Sequence, residues 1–263
     1  MEIKPIALFH TRKKNPYEAA RQASADLSSE IGEIHFYSGQ MFEQALSDIE
    51  GFSHLWLIYQ FHQNENWKPM VLPPRGLDRK VGVFATRSPY RPNSLGLSCV
   101  QLIERKDLVL FVKNFDLLDQ TPIYDVKPYV AYADSVPEAR MGWLEGVETS
   151  RWEMTFTETV QADIDFLNRE GLTEISNFIF QQLSFEPMNS RKKRIEMISS
   201  EEGVLAYRTW RVHFQIDSPQ KLIITGVFSA YSPEDFKHSD LYKDQALHQK
   251  FLIWKNKIEK KSN

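Results

Sequence analysis

A succession of short apolar runs, each closed by a turn signal, occupies the first half of the chain and constrains its fold more than any other feature. Ile3 to Phe9 is followed by Gly32 to Tyr37, His54 to Phe61, Val81 to Ala85, Leu97 to Ile103 and Leu108 to Val112. Runs of this length, rich in β-branched and aromatic residues, read as strands of a barrel or a sandwich. His54-Leu55-Trp56-Leu57-Ile58-Tyr59-Gln60-Phe61 is nearly continuous in apolar residues, as for a strand buried on both faces. Met41, Phe42, Ala45, Leu46 and Ile49 fall at helical spacing, which predicts one short helix between Gln40 and Ile49.

The second half has a different rhythm. Pro137 to Ser150 reads as a connector. Gln161 to Arg169 and Thr173 to Leu183 have helical spacing, whereas Trp210, Val212, Phe214 and Ile216 alternate as a half-buried strand with Lys221 to Phe228 as its partner. From Pro233 the chain is helix-prone and ends in a lysine-rich stretch. The expected division is a domain over 1–145, a smaller α+β domain over 146–228 and a tail over 229–263.

Composition narrows the function classes. The chain has 263 residues, a single cysteine and a net charge of −3. Cys99 alone makes neither a disulfide nor a cysteine-rich zinc site, and its place in Leu95 to Val100 suggests a small buried side chain. No metal is expected: the seven histidines show no ligand-type pairing, with His54 and His62 eight apart, which argues against a metal hydrolase. No membrane partner is expected either, since no apolar run is long enough to span a bilayer and the first residues lack a secretory pattern. The expected location is the cytoplasm. An acidic balance means that any nucleic acid must be held by a local basic patch. Arg191-Lys192-Lys193-Arg194 is the densest, and Arg12-Lys13-Lys14 is a second.

One segment carries the chemistry. Gly82-Val83-Phe84-Ala85-Thr86-Arg87-Ser88-Pro89-Tyr90-Arg91-Pro92-Asn93-Ser94-Leu95-Gly96 runs from a strand into a loop stiffened by Pro89 and Pro92, then back into a strand. Arg87 and Arg91 project from that frame. The bland alternative is a pair of surface arginines in a proline-rich turn.

This segment resembles the signature of the TsaA-like family. Glu50 to Trp56 leading into Phe61-His62-Gln63, then Leu117 to Pro122, then Tyr124-Asp125-Val126-Lys127-Pro128-Tyr129, agree with it in order. The resemblance is good over roughly residues 1–145 and weak beyond. It implies a mainly β protein whose N-terminal domain is a single-sheet, non-Rossmann β-barrel, with a smaller α+β C-terminal domain. The implied reaction is S-adenosylmethionine-dependent methylation of N6 of threonylcarbamoyladenosine at position 37 of tRNA, carried out by a homodimer. A non-catalytic RNA- or nucleotide-binding barrel is the alternative.

By the same resemblance, Arg21, Gln22 and Ala23 belong to a cofactor-lining segment in which Ala20 stands where the family has proline. Arg21 also reads as part of a solvated helix face. His62 and Gln63 match a cofactor-contacting pair. Arg87 matches a contact to the cofactor, whose carboxylate suits a guanidinium fork. Leu97 matches an apolar position beside the cofactor, and also reads as plain core. Asp119, Gln120, Thr121 and Pro122 match an Asp-Gly-Thr-Pro turn, with Gln120 in place of glycine. Asp125 is the candidate to orient or deprotonate N6–H, Lys127 to offset the substrate carboxylate, and Tyr129 to stack on a base. A buried Asp125–Lys127 salt bridge is the competing account. Arg91, Asn93 and Arg191 are candidate tRNA contacts.

Overall fold

A computed structural model of the chain describes residues 2–19, 30–145, 147, 151–237 and 243–262. The chain divides into two compact units, Met1–Val147 and Glu148–Asn263. No helix among the described residues is long and apolar enough to cross a membrane.

The first unit contains β1 (Ala7–His10), β2 (Gly32–Phe36), β3 (His54–Gln60), a small pair β4 (Met70–Val71) and β5 (Val81–Gly82), β6 (Leu95–Lys106), β7 (Val109–Lys113) and β8 (Thr121–Pro128). Six of them close into a barrel in the order β1-β2-β7-β6-β3-β8. Every pairing around it is antiparallel. Closure leaves no unpaired sheet edge. Alternate residues point inward, so Phe9, Ile34, Leu55, Leu57, Val100, Leu110, Val112 and Ile123 fill the interior with no exposure.

Three expectations change. β3 alternates: Leu55, Leu57 and Tyr59 are buried, while His54, Trp56, Ile58 and Gln60 are half-buried on the outer wall. Its run of apolar residues therefore marks a wall with an apolar exterior, not a strand covered on both sides. The 40–49 helix shrinks to one turn, α1 (Phe42–Ala45), because Met41 and Asp48 both take positive φ, which no right-handed helix tolerates. Cys99 is half-buried on the outer wall opposite Trp56, since its strand has only one core-facing side. In the predicted connector, preceded by α2 (Ala131–Asp134), Trp143 Nε1 donates to Ala85 O at 2.7 Å.

The second unit runs β9 (Glu153–Phe156), α3 (Glu158–Arg169), α4 (Ile175–Leu183), β10 (Ile195–Met197), β11 (Glu202–Tyr207), β12 (Trp210–Ser218), β13 (Lys221–Ser229) and α5 (Gln245–Ser262). Its sheet has the order β10-β11-β12-β13-β9. Thr157 caps α3 by accepting from Val160 N–H. The tail's predicted helix is α5, which joins this unit's core through Phe251 and His248, both fully buried. His248 stacks on Trp210 with ring centroids 3.7 Å apart, and its Nδ1 bonds Ser229 Oγ at 2.7 Å.

Candidate active site

The antiparallel order brings four chain segments to one rim of the barrel. β1, β3 and β7 end there, and β2, β6 and β8 begin there. The loops above that rim are stitched together. Asp119 N–H donates to Lys13 O (2.8 Å), and Gln120 N–H to Phe9 O (2.7 Å). Gln63 Nε2 donates to Lys14 O (3.0 Å), and Asn64 Nδ2 to Pro89 O (2.7 Å). Residues 10–15, 61–68, 83–94 and 114–120 thus form one framework.

His62, Gln63 and the Asp119–Pro122 turn meet on it. The Thr121 hydroxyl donates to Leu118 O at 2.8 Å and accepts from His62 Nδ1–H at 3.3 Å. That assignment leaves His62 Nε2 as an acceptor. Burial pushes the His62 pKa down, opposed by the charge of Asp119, so the ring is neutral near pH 7. Asp119 Oδ1 accepts from Thr11 N–H at 3.1 Å. Gln120 takes the left-handed conformation, φ 62°, where the family motif has glycine. Its amide donates to His10 Nδ1 at 3.0 Å.

The two arginines of the proline-rich loop divide their roles. The Arg91 guanidinium donates to Thr86 O (2.9 Å) and Val83 O (3.3 Å), holding the loop's own backbone. Arg87 is exposed and lies within electrostatic reach of Asp116. Asn93 is exposed at the loop's end.

Beneath the rim lies a charged layer that sequence reasoning missed. Tyr59 OH meets Ser98 Oγ at 3.2 Å, and Ser98 Oγ donates to Asp116 Oδ1 at 2.5 Å. Burial pushes the Asp116 carboxyl up; the Ser98 bond and the charges of Lys13 and Arg87 oppose it. Lys13, expected in a basic surface patch, is 1% exposed, 3.8 Å from Glu30 Oε2 and 4.1 Å over the Phe115 ring. Its packing against an aromatic face removes it from any surface grip. The available signal was Asp116 set between the apolar Phe115 and Leu117-Leu118.

Asp125, Lys127 and Tyr129 do not join the rim. Ile58 pairs with Asp125 and Tyr59 with Ile123, so Tyr124 is an extra residue, a β-bulge. The bulge resets the alternation. Tyr124, Asp125 and Lys127 all face outward, and Tyr124 OH donates to Gln60 Oε1 at 2.7 Å. Asp125 and Lys127 pair at 3.0 Å on the surface, not in the core. Tyr129 leans on Trp56, ring centroids 5.8 Å apart. Asp125 lies four positions along β8 from Thr121, at most about 13 Å. Leu97, 58% exposed, is on this outer wall and is not core.

Residues 8–135 match the family described as the tRNA-methyltransferase O N-terminal domain. Over 222 residues the chain is 31% identical to the tRNA (adenine(37)-N6)-methyltransferase of Escherichia coli, an alignment covering 82% of this chain and 91% of that one. The chain belongs to the tRNA-methyltransferase O family. This member is also 43% identical over 142 residues to a probable S-adenosyl-L-methionine-binding protein of Pyrococcus abyssi, covering 54% of this chain and 75% of the other. A crystal structure of TrmO from Pseudomonas aeruginosa superposes with a TM-score of 0.60 at 26% identity, covering 86% of this chain and 97% of that one. The mainly β architecture, a non-Rossmann barrel with a smaller α+β unit, is that of the family.

In this family member, Arg21, Gln22 and Ala23 lie outside the described residues. Arg191 is exposed in the second unit, while Lys193 of the same basic run turns inward, donating to Gln182 O at 2.6 Å and also to Phe185 O. Among the described residues no group of three or more His, Cys, Asp or Glu is placed to hold a metal ion.

Proposed function

We propose that this protein methylates N6 of adenosine 37 in tRNA that carries a threonylcarbamoyl group there, using S-adenosylmethionine. Membership of the tRNA-methyltransferase O family supports the reaction class. The observation that carries the site is the convergence of His62, Gln63 and Asp119–Pro122 on one rim, beneath the loop that presents Arg87.

The rim's donor set fits the cofactor. An exposed guanidinium suits its carboxylate. The Asp119 carboxylate suits a ribose hydroxyl or an amine, and a neutral imidazole and a primary amide suit an adenine edge. S-adenosylmethionine supplies an electrophilic methyl group when bound. Arg87, His62, Gln63, Leu97 and Asp119 to Pro122 hold it, together with Arg21, Gln22 and Ala23. Asp125 accepts the N6–H hydrogen bond and orients the nitrogen lone pair. Lys127, already paired with Asp125, offsets the threonylcarbamoyl carboxylate. Tyr129 stacks on the base, and Arg91, Asn93 and Arg191 contact the tRNA.

His62, Gln63 and Asp119–Pro122 on the rim stand apart from Asp125, whereas Leu97 shares the outer wall with Asp125; a homodimer whose second copy sets its rim against that wall accounts for both. The outer wall of β6, β3 and β8 offers an apolar surface for it: Leu95, Leu97, Ile58 and Trp56. The compartment of such an enzyme is the cytoplasm.

Methyl transfer from labelled S-adenosylmethionine, with tRNA bearing or lacking the threonylcarbamoyl group, tests the proposal. Label in the modified tRNA alone is expected. Absence of S-adenosylmethionine binding would overturn it and leave a non-catalytic RNA-binding barrel.

A further inference from the structure

The second unit presents a sheet face for which methyl transfer has no role. Leu205, Tyr207, Trp210, Val212, Phe214, Leu222, Ile224 and Val227 point to one side of the sheet and are buried. Their neighbours point to the other side, where residues are half-buried or exposed apart from Gly226, which the Phe228 ring covers. The register orders that open face in rows. Ala206, Arg211 and Phe228 form one row, and Val204, His213 and Gly226 the next. Arg194 lies at the start of the first row, because its carbonyl accepts from Ala206 N–H at 2.8 Å.

Two aromatic rings meet on this face. His213 and Phe228 have centroids 4.6 Å apart, and Phe228 is 44% exposed. Gly226 makes the arrangement possible: a Cβ there would fall 2.3 Å from the Phe228 ring. The ring therefore lies back over the strand, with Lys255 Nζ 4.8 Å from its centroid, and 44% of the residue stays exposed. Burial keeps His213 neutral by pushing its pKa down, against the charge of Glu202. Beside His213 opens a cavity of about 270 Å³, whose lining includes Glu202, Gln215 and Thr225. It is smaller than the roughly 300–1,000 Å³ of a drug-sized site and suits a single base. A carboxylate, an amide and a hydroxyl supply acceptors and donors for a base edge.

Charge is arranged around these rings. Arg208 lies in the tight turn from β11 to β12, 5.1 Å over the Tyr207 ring, Arg211 follows in β12, and Arg194 closes the basic run Arg191–Arg194 at the edge of the sheet. The Arg211 guanidinium is held at the turn by Trp210 O (2.9 Å) and Arg208 O (3.3 Å). A helix-backed sheet with exposed rings next to arginines matches the chemistry of unpaired nucleotides, which need a stacking surface and phosphate-binding cations together.

We propose that this open face binds single-stranded RNA, with Phe228 and His213 stacking an unpaired base and Arg194 and Arg211 meeting the adjoining phosphates. That the RNA is tRNA rests on the methyltransferase function proposed above.

Fluorescence anisotropy of the full-length protein with fluorescein-labelled oligoadenylate, and with a labelled RNA duplex, tests the assignment. Phe228→Ala and His213→Ala are each expected to weaken oligoadenylate binding about tenfold. Phe228→Tyr retains binding within about twofold. Arg211→Ala lowers the slope of affinity against salt by about one. Binding of S-adenosylhomocysteine is unchanged in all four. Wild-type affinity in both alanine variants overturns the platform, as does equal loss on the duplex, which has no unpaired base. A wild-type protein that fails to methylate tRNA, yet loses oligoadenylate binding on Phe228→Ala, refutes the methyltransferase function and leaves the platform standing.

Discussion

Leu97 and Asp125 stand in one cross-strand row on the outer wall of the barrel, each paired with Ile58 from opposite sides. In the proposed function Leu97 lines the cofactor and Asp125 acts on N6, and the row holds these two residues two strands apart, about 10 Å. In the proposed dimer this row is where the methyl donor and N6 meet. Leu97→Arg is expected to convert the dimer to a monomer, measured by sedimentation, and to reduce methyl transfer more than tenfold. A dimer with wild-type activity would refute the placement.

Asp125→Asn separates chemistry from binding. An aspartate that orients or deprotonates N6 contributes roughly a hundredfold or more to turnover. The variant is expected to lose that much in kcat while binding S-adenosylhomocysteine within about twofold of wild type, by calorimetry. The Asp125–Lys127 pair is surface-exposed and contributes less than about 1 kcal/mol to stability. Lys127→Ala therefore changes the urea midpoint little, and a large shift would make the pair structural.

Gln120 occupies a left-handed position where glycine costs nothing. A side chain there costs about 1–2 kcal/mol. Its 3.0 Å bond to His10 recovers part of that. Gln120→Gly is expected to stabilise the protein by about 1 kcal/mol in urea unfolding; destabilisation would mean that the His10 bond outweighs the strain.

Gly96 has the opposite constraint. It pairs with Tyr59 inside the barrel, and a Cβ would lie 2.3 Å from that ring. Gly96→Ala must displace Tyr59, the outer link of the Ser98–Asp116 chain. A loss of about 1–3 kcal/mol is expected from overpacking, measured by denaturant unfolding.

His62 has a folded pKa below its ordinary 6.5 because burial disfavours the charged ring. Below pH 6.5 the unfolded chain therefore binds more protons than the folded one. Stability rises with pH through the window from the depressed folded value up to 6.5 and is flat above it. His213 is shifted in the same direction and adds to the slope. His62→Gln is expected to flatten the rise between about pH 5 and pH 7, read from urea midpoints across that range. An unchanged slope would show that His62 titrates as it does in the unfolded chain.

Strands were readable from the amino-acid sequence because β-branched and aromatic runs between turn residues leave few alternatives. The Gly82–Gly96 segment pointed to the family because its residues resemble the family signature; that Arg91 closes the loop on its own carbonyls was seen only in the structure. That glutamine stands at position 120 where the family has glycine was readable, but the positive φ that makes it costly came from the structure. Three matters were decided by tertiary structure alone. Facing depends on register: one bulged residue, Tyr124, turned Asp125 and Lys127 to the outer wall, and a bulge carries no residue signature. Burial of a charge depends on distant partners: Lys13 looked like surface until Phe115 and Glu30 were brought around it. The open face of His213, Gly226 and Phe228 exists because the helices pack on the other side of the sheet, a choice made by the whole core and by no single strand.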